Sequence, residues 1–271
     1  MKEPDRSFLG RHPPLRVQRR NVSLSHALSK FGYCSRAQAR ALIVAGRVRA
    51  NGTIQRHEEF RLDPDRDQIE VDGQRVTSPV RIYLMLNKPR GVVTTRSDEQ
   101  ERKTVYDCLA DRDFPWLFPV GRLDKASEGV LLLTNDTRWA AGITDPEHPV
   151  DKTYHVQIDA VVNADMLRPM QAGIRIEDGD LLRSKQAKLL RPGHRNSWLE
   201  IVLDEGKNRQ IRRLLAALGL NVLRLVRVAI GPVQLGDLPK GSYRQLTPQE
   251  QRSLAQGQKR KKAISSSTPR D

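Results

Sequence analysis

The chain has 271 residues, a formal charge of +15 and a pI near 10.2, with 38% apolar residues; it is long enough for one large and one small domain, each with a core. That charge balance favours a polyanionic partner, because lysines and arginines that neutralise phosphates release condensed counterions. No apolar run approaches the ~20 residues of a membrane span and no signal-peptide core is present, so a soluble cytoplasmic protein is expected. Cys34 and Cys108 lack CxxC or histidine spacing, which argues against a disulfide framework or a zinc site.

The charge is unevenly spread. Residues 1–20 hold six Lys/Arg against two acids and residues 252–271 hold six against one, so the tails carry +4 and +5 of the total. Two readings stand for these ends, solvated disordered tails or basic arms that grip RNA. From residue 21 to 56 there are six basic residues and no acid. Leu24, Ala27, Leu28 and Phe31 follow the spacing of an amphipathic helix that Gly32 stops. A second helix is predicted to start at Ser35 as N-cap, run through Ala39, Leu42 and Ile43, and end at Gly46. On it Arg36 and Arg40 share a face, and Arg47 and Arg49 alternate on a short strand that turns at Asn51-Gly52. These four arginines are the predicted phosphate-contacting, RNA-binding face, the alternative being a merely solvated surface with the basic tails doing the gripping.

After Pro79 the pattern changes, which sets a linker and a second domain at about 80–250, following a small domain at 22–76. Strands are predicted at 82–86, 129–134, 153–158, 198–203 and 222–226, and helices at 137–143, 164–171 and 209–218. Their order lacks a regular βαβ rhythm, so the expected class is α+β, a mixed, mostly antiparallel sheet with flanking helices. The only low-complexity stretch is the KRKK and SSS tail.

Three segments can carry chemistry. In PVGRLDKASEGVLLLTND (119–136) a polar turn with Arg122, Asp124 and Lys125 leads into an apolar strand. Asp124 is there a turn-former, a helix cap or a catalytic carboxylate. In DKTYHVQI (151–158) Tyr154, Val156 and Ile158 share a face, so Tyr154 is core or an aromatic platform for a base, with His155 on the other side. In EGKNRQIRRLLAALG (205–219) Asn208 is a candidate N-cap, Ile211, Leu214, Leu215 and Leu218 form an apolar stripe, and Arg209, Arg212 and Arg213 occupy the remaining faces. The histidines show no ligand spacing, and no GxxxxGKS or GxGxxG loop appears.

SRAQARALIVAGRVRANG and IEVDGQRV resemble the RNA-binding domain of ribosomal protein S-four over residues 22–76. Taken in order, GRLDKASEG, KTY, GKNRQIRR and LRLVRVAIGP resemble the motifs of the bacterial ribosomal RNA pseudouridine synthases, in the RsuA, RluB, RluE and RluF group. Ser127 and Lys207 stand where threonine and arginine are the commoner spellings. The resemblance implies a pseudouridine synthase fold, Asp124 as catalytic aspartate, Tyr154 stacked on the target uracil, and Arg212 paired with the aspartate. It places Leu225 beside the base, with Arg122 and Arg209 as further substrate contacts. It also implies ribosomal RNA, preferentially large-subunit 23S, or a pre-ribosomal particle as partner; from the missing ligand spacings and nucleotide loops neither cofactor nor metal is expected, and a monomer is the expected state.

The roles are physically coherent. The reaction breaks the bond between uracil nitrogen and ribose, turns the ring and rejoins it through carbon, and one ionised carboxylate can act as covalent catalyst. A nearby arginine favours that ionised form against desolvation. An aromatic face offsets part of the stacking lost by an extruded base, about 1 to 3 kcal/mol. The rival expectations are a catalytically silent ribosome-assembly factor and a DNA-binding regulator, the latter without a recognition helix or dimer signal.

Overall fold

In the computed structural model, residues 22–255 are described except 65, 78, 79, 97, 113 and 177; both predicted tails lie almost wholly outside them. The chain forms two compact units, divided between Thr77 and Ser78.

The first unit contains β1 (Val22–Ser23), α1 (Leu24–Lys30), α2 (Arg36–Val44), β2 (Val48–Ala50), β3 (Thr53–Gln55), β4 (Arg61–Leu62), β5 (Ile69–Val71) and β6 (Gln74–Arg75). Strand order is β3-β2-β5-β6 in one sheet, with β1 and β4 paired separately. The Ser35 hydroxyl accepts the Gln38 amide while the Gln38 side chain accepts the Ser35 amide, so α2 begins with a capping box. It is followed by Gly46 at φ +72°, where a Cβ would stand 2.7 Å from the Arg56 guanidinium. Asn51 (φ +50°) and Gly52 (φ +80°) make the tight turn between β2 and β3, two left-handed residues as such a hairpin requires. Leu24, Leu28, Ala39, Ile43, Val48, Ile69 and Val71 form the core of the unit.

The second unit contains β7 (Tyr83–Lys88), β8 (Phe118–Val120), β9 (Glu128–Thr134), α3 (Thr137–Thr144), β10 (Lys152–Ile158), α4 (Arg168–Ala172), β11 (Ile174–Arg175) and β12 (Leu181–Leu182). It continues with β13 (Gln186–Pro192), β14 (Ser197–Leu203), α5 (Gln210–Ala216), β15 (Val222–Ile230), β16 (Val233–Gln234) and β17 (Tyr243–Gln245). A nine-stranded sheet runs β13-β14-β10-β15-β9-β7-β17, with β16 on β15 and β8 on β9. Among the strands of the described residues, only β9 and β15 pair in parallel; the expected mixed, mostly antiparallel α+β class is what the chain adopts.

Period-two alternation makes two cores. Leu84, Leu86, Leu131, Leu133, Tyr154, Val156 and Ile158 face one side with Leu123, Ile211 and Leu225, while Met85, Val130, Leu132, Ile230 and Leu254 face the other. All seven residues of β9 are buried, because both of its faces are covered.

Some boundaries differ from the sequence reading. The helix expected at 164–171 is a 3-10 turn at Asp165–Leu167 followed by a short α4 with a proline in its first turn. The N-cap of α5 is Arg209, not Asn208, and Arg209 sits at φ +48° without a side-chain cap. Strand β13 was not predicted: as a polar edge strand it shows little apolar alternation.

Candidate active site

Asp124 lies in the loop between β8 and β9. The loop is held through its main chain, and five consecutive carbonyls each receive a donor. Leu123 O accepts from Thr94 Oγ1 at 2.7 Å and Asp124 O from Lys88 Nζ at 3.1 Å. Lys125 O accepts from the Gly91 amide at 2.8 Å, Ala126 O from Arg212 Nη2 at 3.3 Å and Ser127 O from Lys88 Nζ at 2.8 Å. Leu123, 7% exposed, anchors the loop in the core below.

With its backbone fixed, Asp124 keeps a side chain that is 38% exposed, and Arg209 Nη1 stands 3.6 Å from its carboxylate. Arg212, read from the sequence as the partner of Asp124, makes no direct ion pair with it. Its guanidinium bridges Ala126 O and Val222 O at 3.3 and 3.4 Å, and its Nε is buried without a partner. Burial pushes the Arg212 pKa down, with Arg209 and Arg90 adding to the effect and Asp124 opposing it. The carboxylate therefore meets two arginines, Arg209 by contact and Arg212 through the field. The left-handed backbone of Arg209 carries the chain into α5, three residues ahead of Arg212.

Tyr154 and Leu225, 8% and 6% exposed, lie on adjacent strands in the core that Leu123 and Ile211 share. A register shift after Thr153 sets Tyr154 opposite Arg227, on the same face of the sheet. Arg227 is buried; its Nε donates to Val130 O at 2.7 Å and its Nη2 has no partner. Arg122 is exposed on the loop that carries Asp124, as is Lys125.

Lys88, Gly91, Thr94 and Arg227 were not picked out from the sequence. A lysine ending the apolar run YLMLNK was the available signal, since a buried lysine needs polar partners. Lys88 has no exposed surface, and burial lowers its pKa to about 8 against the pull of Asp124 and Glu128.

In the first unit Arg36, Arg40, Arg47 and Arg49 are all exposed. Two of them already have acids: Arg40 pairs with Glu58, and Arg47 forms a two-pronged bond to Asp72 at 2.8 and 2.5 Å. The four are thus a less open basic face than charge spacing alone implies.

One group among the described residues, Asp145, Glu147 and His148, brings three potential metal-ligand atoms within 4.8 Å of one another, a closeness not legible from histidine spacing. The turn's own hydrogen bonds account for it: Asp145 accepts the Glu147 amide at 2.9 Å and lies 3.0 Å from His148 Nδ1. No helix among the described residues is long and apolar enough to cross a membrane.

The family model described as RNA pseudouridylate synthase matches residues 82–217, and the S4 domain model matches 27–67. The chain is 36% identical over 234 residues to ribosomal large subunit pseudouridine synthase B of Bacillus subtilis (strain 168), covering 85% of this chain and 94% of that protein. It is 37% identical over 231 residues to an RNA pseudouridine synthase of Aquifex aeolicus (strain VF5), covering 84% and 92%. A crystal structure of a pseudouridylate synthase superposes with a TM-score of 0.59 at 32% identity, over 86% of this chain and 99% of that one. On fold, motif order and these likenesses, the chain belongs to the RNA pseudouridylate synthase family.

Proposed function

We propose that the chain isomerises a specific uridine of ribosomal RNA, in the large-subunit 23S molecule, using Asp124 as covalent catalyst. It does so in the cytoplasm as a monomer, without cofactor or metal. The observation that carries this reading is the contrast at Asp124: five neighbouring carbonyls are tied down while the carboxylate stays open beside Arg209. A carboxylate whose backbone is fixed and whose oxygens stay accessible beside a guanidinium is aimed at what enters the site. Likeness to the large-subunit enzyme of Bacillus subtilis supports the choice of RNA.

In this scheme the target uridine leaves its stack and its base lies against Tyr154, with Leu225 packing at its side. Asp124 bonds covalently to the nucleoside while the bond between uracil N1 and ribose C1′ breaks, and it is released as uracil C5 bonds to C1′; C5 then loses its proton and N1 gains one, so no oxidant or water is consumed. Arg212 holds the Asp124 loop in place through Ala126 O and Val222 O, and Arg209 and Arg122 hold substrate phosphate or the carboxylate. Arg36, Arg40, Arg47 and Arg49 of the small domain grip the RNA backbone. The exposed carboxylate weighs against a purely binding, non-catalytic role.

The test is to map pseudouridines in ribosomal RNA from cells with and without the gene. One large-subunit uridine should lose its modification in the deletion strain and regain it on complementation with the wild-type chain, but not with Asp124→Asn. Identical maps would refute the proposal.

A further inference from the structure

The sheet of the second unit has a row of side chains on the face opposite Tyr154. Register aligns Arg191 with Trp198, Trp198 with Gln157, and Gln157 with Arg224, across β13, β14, β10 and β15. Alternation puts Tyr154, Val156, Leu199 and Ile201 in the core, so Gln157 and Trp198 point the other way, and both are partly exposed. The Arg191 and Arg224 guanidinium carbons lie 5.4 and 5.8 Å from the Trp198 ring centre.

Charge favours an anionic occupant. Residues 181–199, which include β13 and the hairpin to β14, hold five Lys/Arg and no acid. Two acids do reach this face, and each is already bracketed by two basic groups. Glu200 meets Lys188 at 2.8 Å and His155 at 3.3 Å; Glu128 meets Arg224 at 2.6 Å and Lys240 at 2.8 Å. Arg191 has no acidic partner among the described residues, and its exposed guanidinium is free to take a phosphate.

The row is also tied to the catalytic end of the sheet. Arg224 reaches Glu128, which opens β9 four residues after Asp124. An aromatic ring flanked by guanidinium groups on an open sheet face is the chemistry that receives single-stranded RNA, in which a base stacks and the backbone meets the cations.

We propose that Arg191, Trp198 and Arg224 form a second RNA-contact surface, on which an unpaired nucleotide outside the reacting one stacks against Trp198 between the two arginines. This rests on the reading of RNA as substrate and extends it to a face that the catalytic groups do not occupy.

The test uses the full chain and an unmodified large-subunit ribosomal RNA transcript. Trp198→Ala should weaken binding by roughly 5- to 150-fold, the equivalent of about 1 to 3 kcal/mol of lost stacking, while Trp198→Phe stays near wild type because a ring remains. Arg191→Gln, a change at an exposed position that leaves the fold intact, should flatten the slope of log K against log salt by roughly 0.7. Single-turnover conversion at saturating RNA should be unchanged in both. Wild-type affinity in Trp198→Ala together with a wild-type salt slope in Arg191→Gln would overturn the proposal. A face that docks a ribosomal protein gives that same result on naked RNA, and so counts against it. The proposed activity is scored separately: a wild-type chain that forms no pseudouridine, yet binds RNA in a Trp198-dependent way, would sink the enzymatic reading and keep this surface.

Discussion

The ammonium of Lys88, without exposed surface, donates to the carbonyls of both Asp124 and Ser127, at 3.1 and 2.8 Å. It joins the end of β7 to the two ends of the turn that carries the proposed nucleophile, and Pro89 O takes its third bond at 3.1 Å. Lys88→Met should leave these acceptors unpaired and let the turn drift. A displacement of about 1 Å is enough to cost on the order of 100-fold in rate. Single-turnover kinetics on wild-type and variant chains measure this, and an unimpaired variant would show that the turn is held by its other bonds.

The same lysine predicts a pH dependence. Its pKa falls from an ordinary 10.5 to about 8 on folding, chiefly by burial. Below pH 8 it is charged in both folded and unfolded chains, so its desolvation opposes folding in full. Between 8 and 10.5 the folded chain has released a proton that the unfolded chain still binds, so this penalty shrinks as pH rises. The stability of the wild type relative to Lys88→Met should therefore increase over that window in parallel denaturant titrations. Activity should fall over the same window, because a neutral amine has two hydrogens for three carbonyls. A pH-independent stability difference would show that Lys88 keeps its proton throughout.

Asp124→Asn removes the nucleophilic charge at almost constant volume. It should lower conversion by a factor on the order of a thousand or more while leaving RNA affinity and melting temperature near wild type. Activity within tenfold of wild type would remove Asp124 from the mechanism.

Arg209 and Arg212 should separate kinetically. Arg212 bridges the carbonyls of Ala126 and Val222, a two-armed contact that a lysine cannot copy, so Arg212→Lys should reduce kcat by roughly 100-fold. Arg209 is 50% exposed and lies at the longer distance of 3.6 Å from Asp124, so Arg209→Gln should act mainly on KM. The reverse split would make Arg209 the residue that tunes the carboxylate.

Gly129 sits at φ +104°, where an added Cβ would lie 2.2 Å from the Arg227 carbonyl oxygen. Gly129→Ala should destabilise the second unit by about 3 kcal/mol or more, since neither the backbone conformation nor the parallel pairing of β9 with β15 can accommodate it. Thermal denaturation reads the effect, and a wild-type melting temperature would mean that the two strands can part at little cost.

Much of the local structure was legible in the sequence because its causes are local. Ser35 and Gln38 are three apart, the spacing of a capping box, and Asn51-Gly52 can take the two left-handed conformations that its hairpin needs. Strands β7, β9, β10 and β14 announced themselves by apolar runs or alternation, and motif order placed Asp124, Tyr154, Arg212 and Leu225 in one unit. Tertiary structure alone decided which donors reach which acceptors. Lys88 lies 36 residues from Asp124 and Arg212 lies 86 from Ala126, and no periodicity encodes a contact across such a separation. The family resemblance pairs the aspartate with Arg212; the fold adds Arg209, which the left-handed turn brings to 3.6 Å from the carboxylate. The sequence read Arg40 and Arg47 as open cations, because Glu58 and Asp72 come back to them only when the small domain folds. Composition and pattern fix the elements; the partners of each charge follow from how the strands are ordered in the sheets.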